Sequence, residues 1–383
     1  AMSGLEPSSI VFPLRRVFQK KSNVFIRVAE VESVDTELKE IQTNLGALSY
    51  DYLVLAIGAD TNFFGNQQVA QNAIPMKSVS EALFLRNAIL KDYERSVTTL
   101  DYDKRQWLID IVVVGGGPTG VEVSGALAEM RNYVLPKDYS ELDIKEIDIY
   151  LLQGGDQLLY GMSDKASLKA KEFLEKLGVQ VKLNTRVTDY DGRYVYTNTG
   201  EKILAKKVIW AAGIIGNKIQ GMPQDCLVRG NRIKVDAFNR VEGLQDVFAI
   251  GDIAYQEEEK YPTGHPQVAQ VAIQHAKRLA NNLKRWQAGT EPKPFAYKDL
   301  GSMATIGRHL AVVDMPRYSI QGAFAWLIWL FVHLFKLVGI KNRLFVFLNW
   351  LWNYFTYDQS LRLIIRPRIK SRHRELEEVE KEK

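Results

Sequence analysis

Cysteine is almost absent from this chain: Cys226 stands alone among 383 residues. One thiol excludes an internal disulfide, a cysteine-held zinc cluster and a Cys-x-x-Cys redox pair within the chain, and it fits a reducing compartment. There is no solenoid repeat, no secretory-signal pattern, and no low-complexity tract ahead of the charged tail. The net charge of +5 is too small to point to nucleic acid, which is not expected as a partner. What remains is a globular composition, 46% hydrophobic and 25% charged, long enough for two or three domains. The basic charge is concentrated late. Arg362, Arg366, Arg368, Lys370, Arg372 and Arg374 crowd together just before the acidic tail ELEEVEKEK.

The most informative stretch is IVVVGGGPTGVEVSGALAE (111–129). An apolar strand at 111–114 enters a glycine turn that opens a helix to about Met130. Gly115, Gly117 and Gly120 have the G-x-G-x-x-G spacing. The first permits a tight turn, the second lets backbone approach a pyrophosphate, and the third lets the helix close on the strand. Free N–H groups at the helix start then face the phosphate charge. A second strand, IDIYLLQ (147–153), closes at a position that usually carries an acid, which binds the ribose hydroxyls and repels a 2′-phosphate. Here the residue is Gln153. A neutral amide can still hydrogen-bond the ribose but removes the repulsion, so NADH remains the expected dinucleotide with weak discrimination against NADPH. Glu122 lies in the first turn of the glycine helix. An acid is favoured there by the helix dipole, but a bound pyrophosphate would compete for the same terminus. That competition makes Glu122 a candidate for a role near the reacting rings.

A second nucleotide-binding pattern surrounds the first. Extended runs from Asn23 to Leu48 read as a meander, and Leu53–Ile57 as a buried strand stopped by Gly58. Residues 77–96 have helical spacing, with Ala82, Leu85, Ile89 and Tyr93 on one face. A helix is expected over 163–177, then a buried strand in KVIWAAG (207–213) stopped by Gly213. DVFAIGDIA (246–254) ends in Gly251 and Asp252, at a strand's C-terminal end where ligands sit in α/β sheets. An aspartate there can accept hydrogen bonds from a flavin's ribityl chain, or act as a turn cap. The helix expected over 266–286 would aim its N-terminal end, around Pro266 to Ala269, at the charge that develops on a reduced flavin.

Read together, GADTNFFG (58–65), GGGPTGVEVSGALAE, FAIGD, AQVAIQ (269–274) and GSMATIGR (301–308) resemble the type II NADH dehydrogenases, the non-pumping NADH:quinone oxidoreductases. The resemblance implies an α/β fold with two dinucleotide-binding domains, glutathione-reductase-like, and C-terminal amphipathic membrane-anchoring helices. It implies FAD and NADH as cofactors. It divides the chain into a discontinuous FAD domain (1–105 and 215–320), an NAD(P)H domain (106–214) and a membrane-anchoring region (321–383). Relatives open with an FAD-binding strand–turn–helix that this sequence does not show before Asn23, so an absent N-terminal unit is expected. Ile57 and Leu310 depart from the family pattern. Gln270 and Gln274, four apart on one helix face, match the family's quinone-pocket pattern; on spacing alone they could equally be a solvated face. The implied reaction is hydride transfer from NADH to FAD, then two electrons to a quinone. Glu122 would handle protons, and Gln270 and Gln274 would contact the quinone head. Disulfide reductases and sulfide:quinone reductases need cysteines that are missing here. A truncated NAD(H)-binding membrane protein and an apoptosis-inducing-factor-like NAD(P)H oxidoreductase are the alternatives.

The run 323–355 carries four of the seven tryptophans and little charge. Ala323–Ile340 approaches the length of a membrane span, but His333 and Lys336 interrupt it and aromatic residues flank it. Helices lying in the membrane interface suit this pattern better, with the later arginines facing anionic lipid. The expected location is peripheral, on the cytoplasmic face of the inner (plasma) membrane, and the family resemblance favours a homodimer.

Overall fold

The structure, a computed structural model, describes residues 11–337 and 339–356. The six basic residues between Arg362 and Arg374 lie outside that range. An antiparallel meander comes first, Val31–Asp35, Glu40–Thr43 and Gly46–Ser49 (β1–β3). It begins later than the sequence pattern indicates: residues 23–30 pair with no strand, and Phe25 and Val28 are exposed. Leu53–Leu55 (β4) and Ala59–Thr61 (β5) follow, separated by the turn at Gly58. β4 is shorter than expected and only Leu55 is buried in it, because among the described residues it pairs on one side alone.

The centre of the molecule is a five-stranded parallel sheet. It is formed by Ile74–Pro75 (β6), Ile111–Val114 (β7), Ile149–Leu152 (β8), Gln180–Lys182 (β9) and, beyond the antiparallel strands Val187–Tyr190, Tyr194–Thr197 and Lys202–Leu204 (β10–β12), Lys207–Trp210 (β13). The order β6-β13-β7-β8-β9 puts the glycine-motif strand in the middle. All four residues of β7 are buried, as a continuous apolar run requires when both sheet faces are covered. The covering helices are Val79–Val97 (α1), Pro118–Glu129 (α2) and Asp164–Lys176 (α3). α1 starts at a capping box made by Ser78 and Glu81, and it buries Ala82, Leu85, Ile89 and Tyr93 as its spacing predicts.

The chain then leaves the central sheet. Ile214–Gly216 (β14) pairs with β5; Leu227–Val228 (β15) and Arg232–Lys234 (β16) join Ala254–Tyr255 (β18); and Val247–Ala249 (β17) pairs in parallel with β4. A long helix, Ala269–Gln287 (α4), leads to an antiparallel sheet of Ser302–Gly307, Leu310–Met315 and Tyr318–Gln321 (β19–β21). Ala323–Lys336 (α5) and Ile340–Thr356 (α6) follow.

The β19–β21 sheet is not a separate unit. Ala304, Ile306 and Val312 belong to the same buried cluster as β7, β8 and α1–α3. Asp314 accepts hydrogen bonds from Ser163 N (2.6 Å) and Oγ (3.0 Å), which ties β20 to the start of α3. α2 is thus held from both sides, and it reaches β19 through Gly125: a Cβ at that position would collide with the Ile306 carbonyl. Although alanine is the better helix former, Gly125→Ala should destabilise the protein by about 1–3 kcal/mol through overpacking. Thermal unfolding measures this directly, and an unchanged or raised midpoint would show that the contact is not tight.

Candidate functional site

The glycine turn has the stereochemistry a phosphate cradle needs. Gly115 takes φ 110°, beyond the reach of other residues, where β7 leaves the sheet. A side chain at Gly120 would strike the Gly115 carbonyl, so this is where helix and strand close on each other. The space around Gly117 is open, and α2 begins there with Pro118 and no side-chain cap. Gln153 is tied to the turn, its Oε1 accepting from Gly116 N at 2.8 Å.

Glu122 is the fifth residue of α2, just beyond the first turn in which the sequence pattern places it, because the helix starts at Pro118, and it meets the edge of β19. Its carboxylate accepts a hydrogen bond from Thr305 N at 3.2 Å. Two turns further on, Glu129 does the same for Arg308 N at 2.5 Å. Both carboxylates border a cavity of about 970 Å³ enclosed by α2, β19 and the aromatic residues Trp326, Trp329, Trp350 and Tyr354 of α5 and α6. Trp329 and Trp350 are 6.2 Å apart, ring centre to ring centre, and Trp326 stacks on Tyr354 at 6.1 Å. Burial pushes the Glu122 carboxyl up to about 7 against the opposing pull of the Thr305 amide. The Trp329 indole also favours the anion from nearby, although its N–H makes no well-aligned hydrogen bond among the described residues. Glu122 keeps some exposure because it opens onto the cavity. Glu129 is raised by burial as well, with Arg308 opposing the shift. The cavity mouth lies on an outer apolar surface: Leu327 and Phe331 line it, yet are 55% and 63% exposed.

The second set of expected residues gathers where β4 and β17 end. Gly58 turns the chain with φ 67°, and its carbonyl accepts from Asn217 N at 3.1 Å. Gly213 follows β13, its carbonyl accepting from Asn62 N. Gly251 (φ 72°) lies against Ala272 of α4 and donates its N–H to His275 Nδ1 at 3.2 Å. The Asp252 carboxylate pairs with Lys77 Nζ at 3.2 Å. α4 starts at Ala269 rather than Pro266, with no side-chain cap and no acid in its first turn, which leaves its positive end uncompensated. Met76 lines the cavity and the next residue, Lys77, reaches Asp252, so the two regions are joined through one short segment.

Gln270 and Gln274 share a face of α4, and both amides are engaged there. Gln270 donates to Gly301 O (3.2 Å) and accepts from Leu300 N (3.1 Å); Gln274 donates to Lys298 O (2.9 Å) and accepts from Lys298 N (3.1 Å). They fasten α4 to the segment that enters β19 and do not line the cavity. Of the residues expected to act together, the structure places Glu122 at the cavity and the two glutamines on the strap beside it.

Residues 4–276 match the pyridine nucleotide-disulphide oxidoreductase family, and residues 300–356 match the NDH2 C-terminal domain. The type II NADH:quinone oxidoreductase Ndh of Mycobacterium tuberculosis is 34% identical over 361 residues, covering 90% of this chain and 77% of that protein. The chain belongs to the type II NADH:quinone oxidoreductases. An internal alternative NAD(P)H-ubiquinone oxidoreductase from Arabidopsis thaliana mitochondria is 33% identical, over 80% of this chain and 63% of its own length. In fold, the chain is similar to NDH2 from Plasmodium falciparum, solved in complex with NADH, with a TM-score of 0.86 at 24% identity over 95% of this chain and 91% of that one.

Within this NDH2-like fold, sequence reasoning passed over Glu129, Lys77 and His275. Glu129 had a signal, since it repeats Glu122 at a seven-residue interval on the same helix face. The other two act through contacts distant in sequence. Ionising Glu122 opposes folding: its contribution is intact below its ordinary 4.5 and is lost as pH rises through about 7. Glu122→Gln should therefore gain stability on wild type by about 1–3 kcal/mol more at pH 8 than at pH 4. Denaturant melts at the two pH values test this, and a pH-independent difference would contradict the burial argument.

Proposed function

We propose that this chain oxidises NADH and reduces a membrane quinone, with FAD as the resident redox group. The observation that carries the reading is the apolar cavity. It holds a carboxyl poised to ionise near neutral pH, it begins within one turn of the glycine cradle, and it opens onto an exposed aromatic and aliphatic surface. A hydrophobic acceptor entering from lipid would reach Glu122 without crossing water.

Gly115, Gly117 and Gly120 hold the NADH pyrophosphate, and Gln153 faces its ribose. Residues 106–214 form the body of the NAD(P)H unit, to whose sheet β6 and α1 add from the preceding segment, and the rest of 1–105 with 215–320 forms the flavin unit. Gly58, Gly213, Gly251, Asp252 and the uncapped start of α4 at Ala269 fit the ribityl and ring end of FAD: a carboxylate acceptor, close backbone and a positive helix end. FAD, when bound, supplies two-electron exchange between the dinucleotide and the quinone. Quinol formation takes up two protons with two electrons. A carboxyl near 7 is matched to deliver one of them at physiological pH, and Glu122 is that group. Gln270 and Gln274 keep the entry to β19 in place, and contact a quinone head only if their bonds to 298–301 open.

Among the described residues no helix is long and apolar enough to cross a membrane. α5 and α6 lie in the interface instead, with Phe324, Phe331 and Trp352 outward. The region 321–383 is the attachment to the cytoplasmic face of the plasma membrane, and the molecule works there as a homodimer. Alkaline carbonate should release the protein from membranes; retention in the pellet would contradict peripheral attachment.

The activity is tested by the flavin absorbance of the purified full chain. NADH should bleach it and a soluble quinone should restore it, whereas NADH binding without bound flavin would favour a binding module. Glu122→Gln should slow reoxidation by quinone by about 10- to 100-fold, far more than it slows reduction by NADH. Equal slowing of both steps would remove Glu122 from quinone chemistry.

A further inference from the structure

We infer that Arg186 is a specificity-determining residue of the dinucleotide site, placed to take the 2′-phosphate of a phosphorylated nicotinamide dinucleotide. The inference rests on the reading of the glycine turn as a dinucleotide cradle and specifies which dinucleotides it accepts.

The chain leaving β9 runs beside the turn that closes β8. Thr185 N donates to Gln153 O at 2.9 Å and Asn184 N to Gly155 O at 2.8 Å, so residue 186 is delivered alongside Gly154. A Cβ on Gly154 would lie 3.7 Å from Arg186 Cβ and 3.8 Å from Arg186 Nε, which puts both the stem and the start of the guanidinium against the turn. The backbone of Arg186 is fixed on both sides by Asn198: Arg186 N donates to Asn198 Oδ1 (2.6 Å), and Asn198 N donates to Arg186 O (2.9 Å). Arg186 is an exposed residue and makes no ion pair with a carboxylate among the described residues. The nearby cation Lys182 is already paired with Glu201 at 2.7 Å. Asp156, the one acid of the 153–156 turn, is exposed and makes no ion pair with Arg186.

Gln153 completes the arrangement. Its oxygen is held by Gly116 N, which leaves Nε2 as the free end of the amide, 3.1 Å from where a Cβ on Gly155 would sit. The turn therefore offers an amide donor and a guanidinium, and no negative oxygen from residue 153. A carboxylate at 153 could take the same Gly116 bond, but its second oxygen would face the ribose with negative charge. Two donors at this edge suit a 2′-phosphate, which carries about −1.5 to −2 charge near neutral pH. A guanidinium fork binds its oxygens with charge-assisted hydrogen bonds.

The test uses the full chain and two probes, adenosine 2′,5′-bisphosphate and 5′-AMP, each titrated as a displacer of NADH. In wild type the bisphosphate should bind more tightly than 5′-AMP, with an advantage that shrinks as salt is raised. Arg186→Gln should cut that advantage by about tenfold and lower the NADPH-to-NADH affinity ratio by a similar factor, and Arg186→Lys should fall between. Arg186 is exposed and its side chain makes no ion pair among the described residues, so an unchanged thermal midpoint should accompany the variants. Equal weakening of both probes, or no change in their ratio, would overturn the assignment. A wild type that binds neither NADH nor 5′-AMP would refute the cradle reading itself; one that binds 5′-AMP but not the bisphosphate would refute Arg186 alone.

Discussion

The approach of α2 to β19 is the contact on which the site depends. Gly125 brings the helix against the Ile306 backbone, and Glu122 and Glu129, on either side of it, satisfy the strand-edge amides of Thr305 and Arg308. An unpaired strand edge buried without acceptors would cost several hydrogen bonds' worth of desolvation. Two carboxylates at a spacing of two helical turns supply those acceptors. The helix that begins at the glycine cradle is thereby fused to the sheet that carries α5 and α6, and the cavity is what remains between them.

The same contact sets the electrostatics. A carboxyl used to cap a strand edge in aqueous surroundings would stay fully ionised. Here the aromatic wall of α5 and α6 removes water, and burial outweighs the two groups that favour the anion. Structural and chemical readings of Glu122 are therefore compatible: the hydrogen bond fixes its position, and the dry side of the cavity sets its proton affinity. Gln270 and Gln274 show the reverse outcome. Their amides are fully engaged on the strap at 298–301, which aims β19 at α2.

Local pattern made the parallel core legible. Four consecutive apolar residues before a glycine turn gave β7 and α2, and the spacing of Ala82, Leu85, Ile89 and Tyr93 gave the buried face of α1. Boundaries were less legible: β4 stopped at Leu55, and α4 began at Ala269 because Pro266 and Gln267 belong to the approach loop. Periodicity identifies a face, not what packs on it, so the shared face of Gln270 and Gln274 was visible while its partner strand was not. The β19–β21 sheet joining the central core, the pairing of Lys77 with Asp252 and the closeness of Arg186 to Gly154 all depend on tertiary proximity, which spacing cannot supply.

The most direct test of the account is a structure of the FAD-loaded chain with a quinone bound. The quinone head should lie between α2 and β19, with an oxygen within hydrogen-bonding distance of Glu122, ringed by Trp326, Trp329 and Trp350, and with its tail leaving past Leu327 and Phe331. A head group seated against Gln270 and Gln274, with the cavity beside Glu122 left empty, would contradict it.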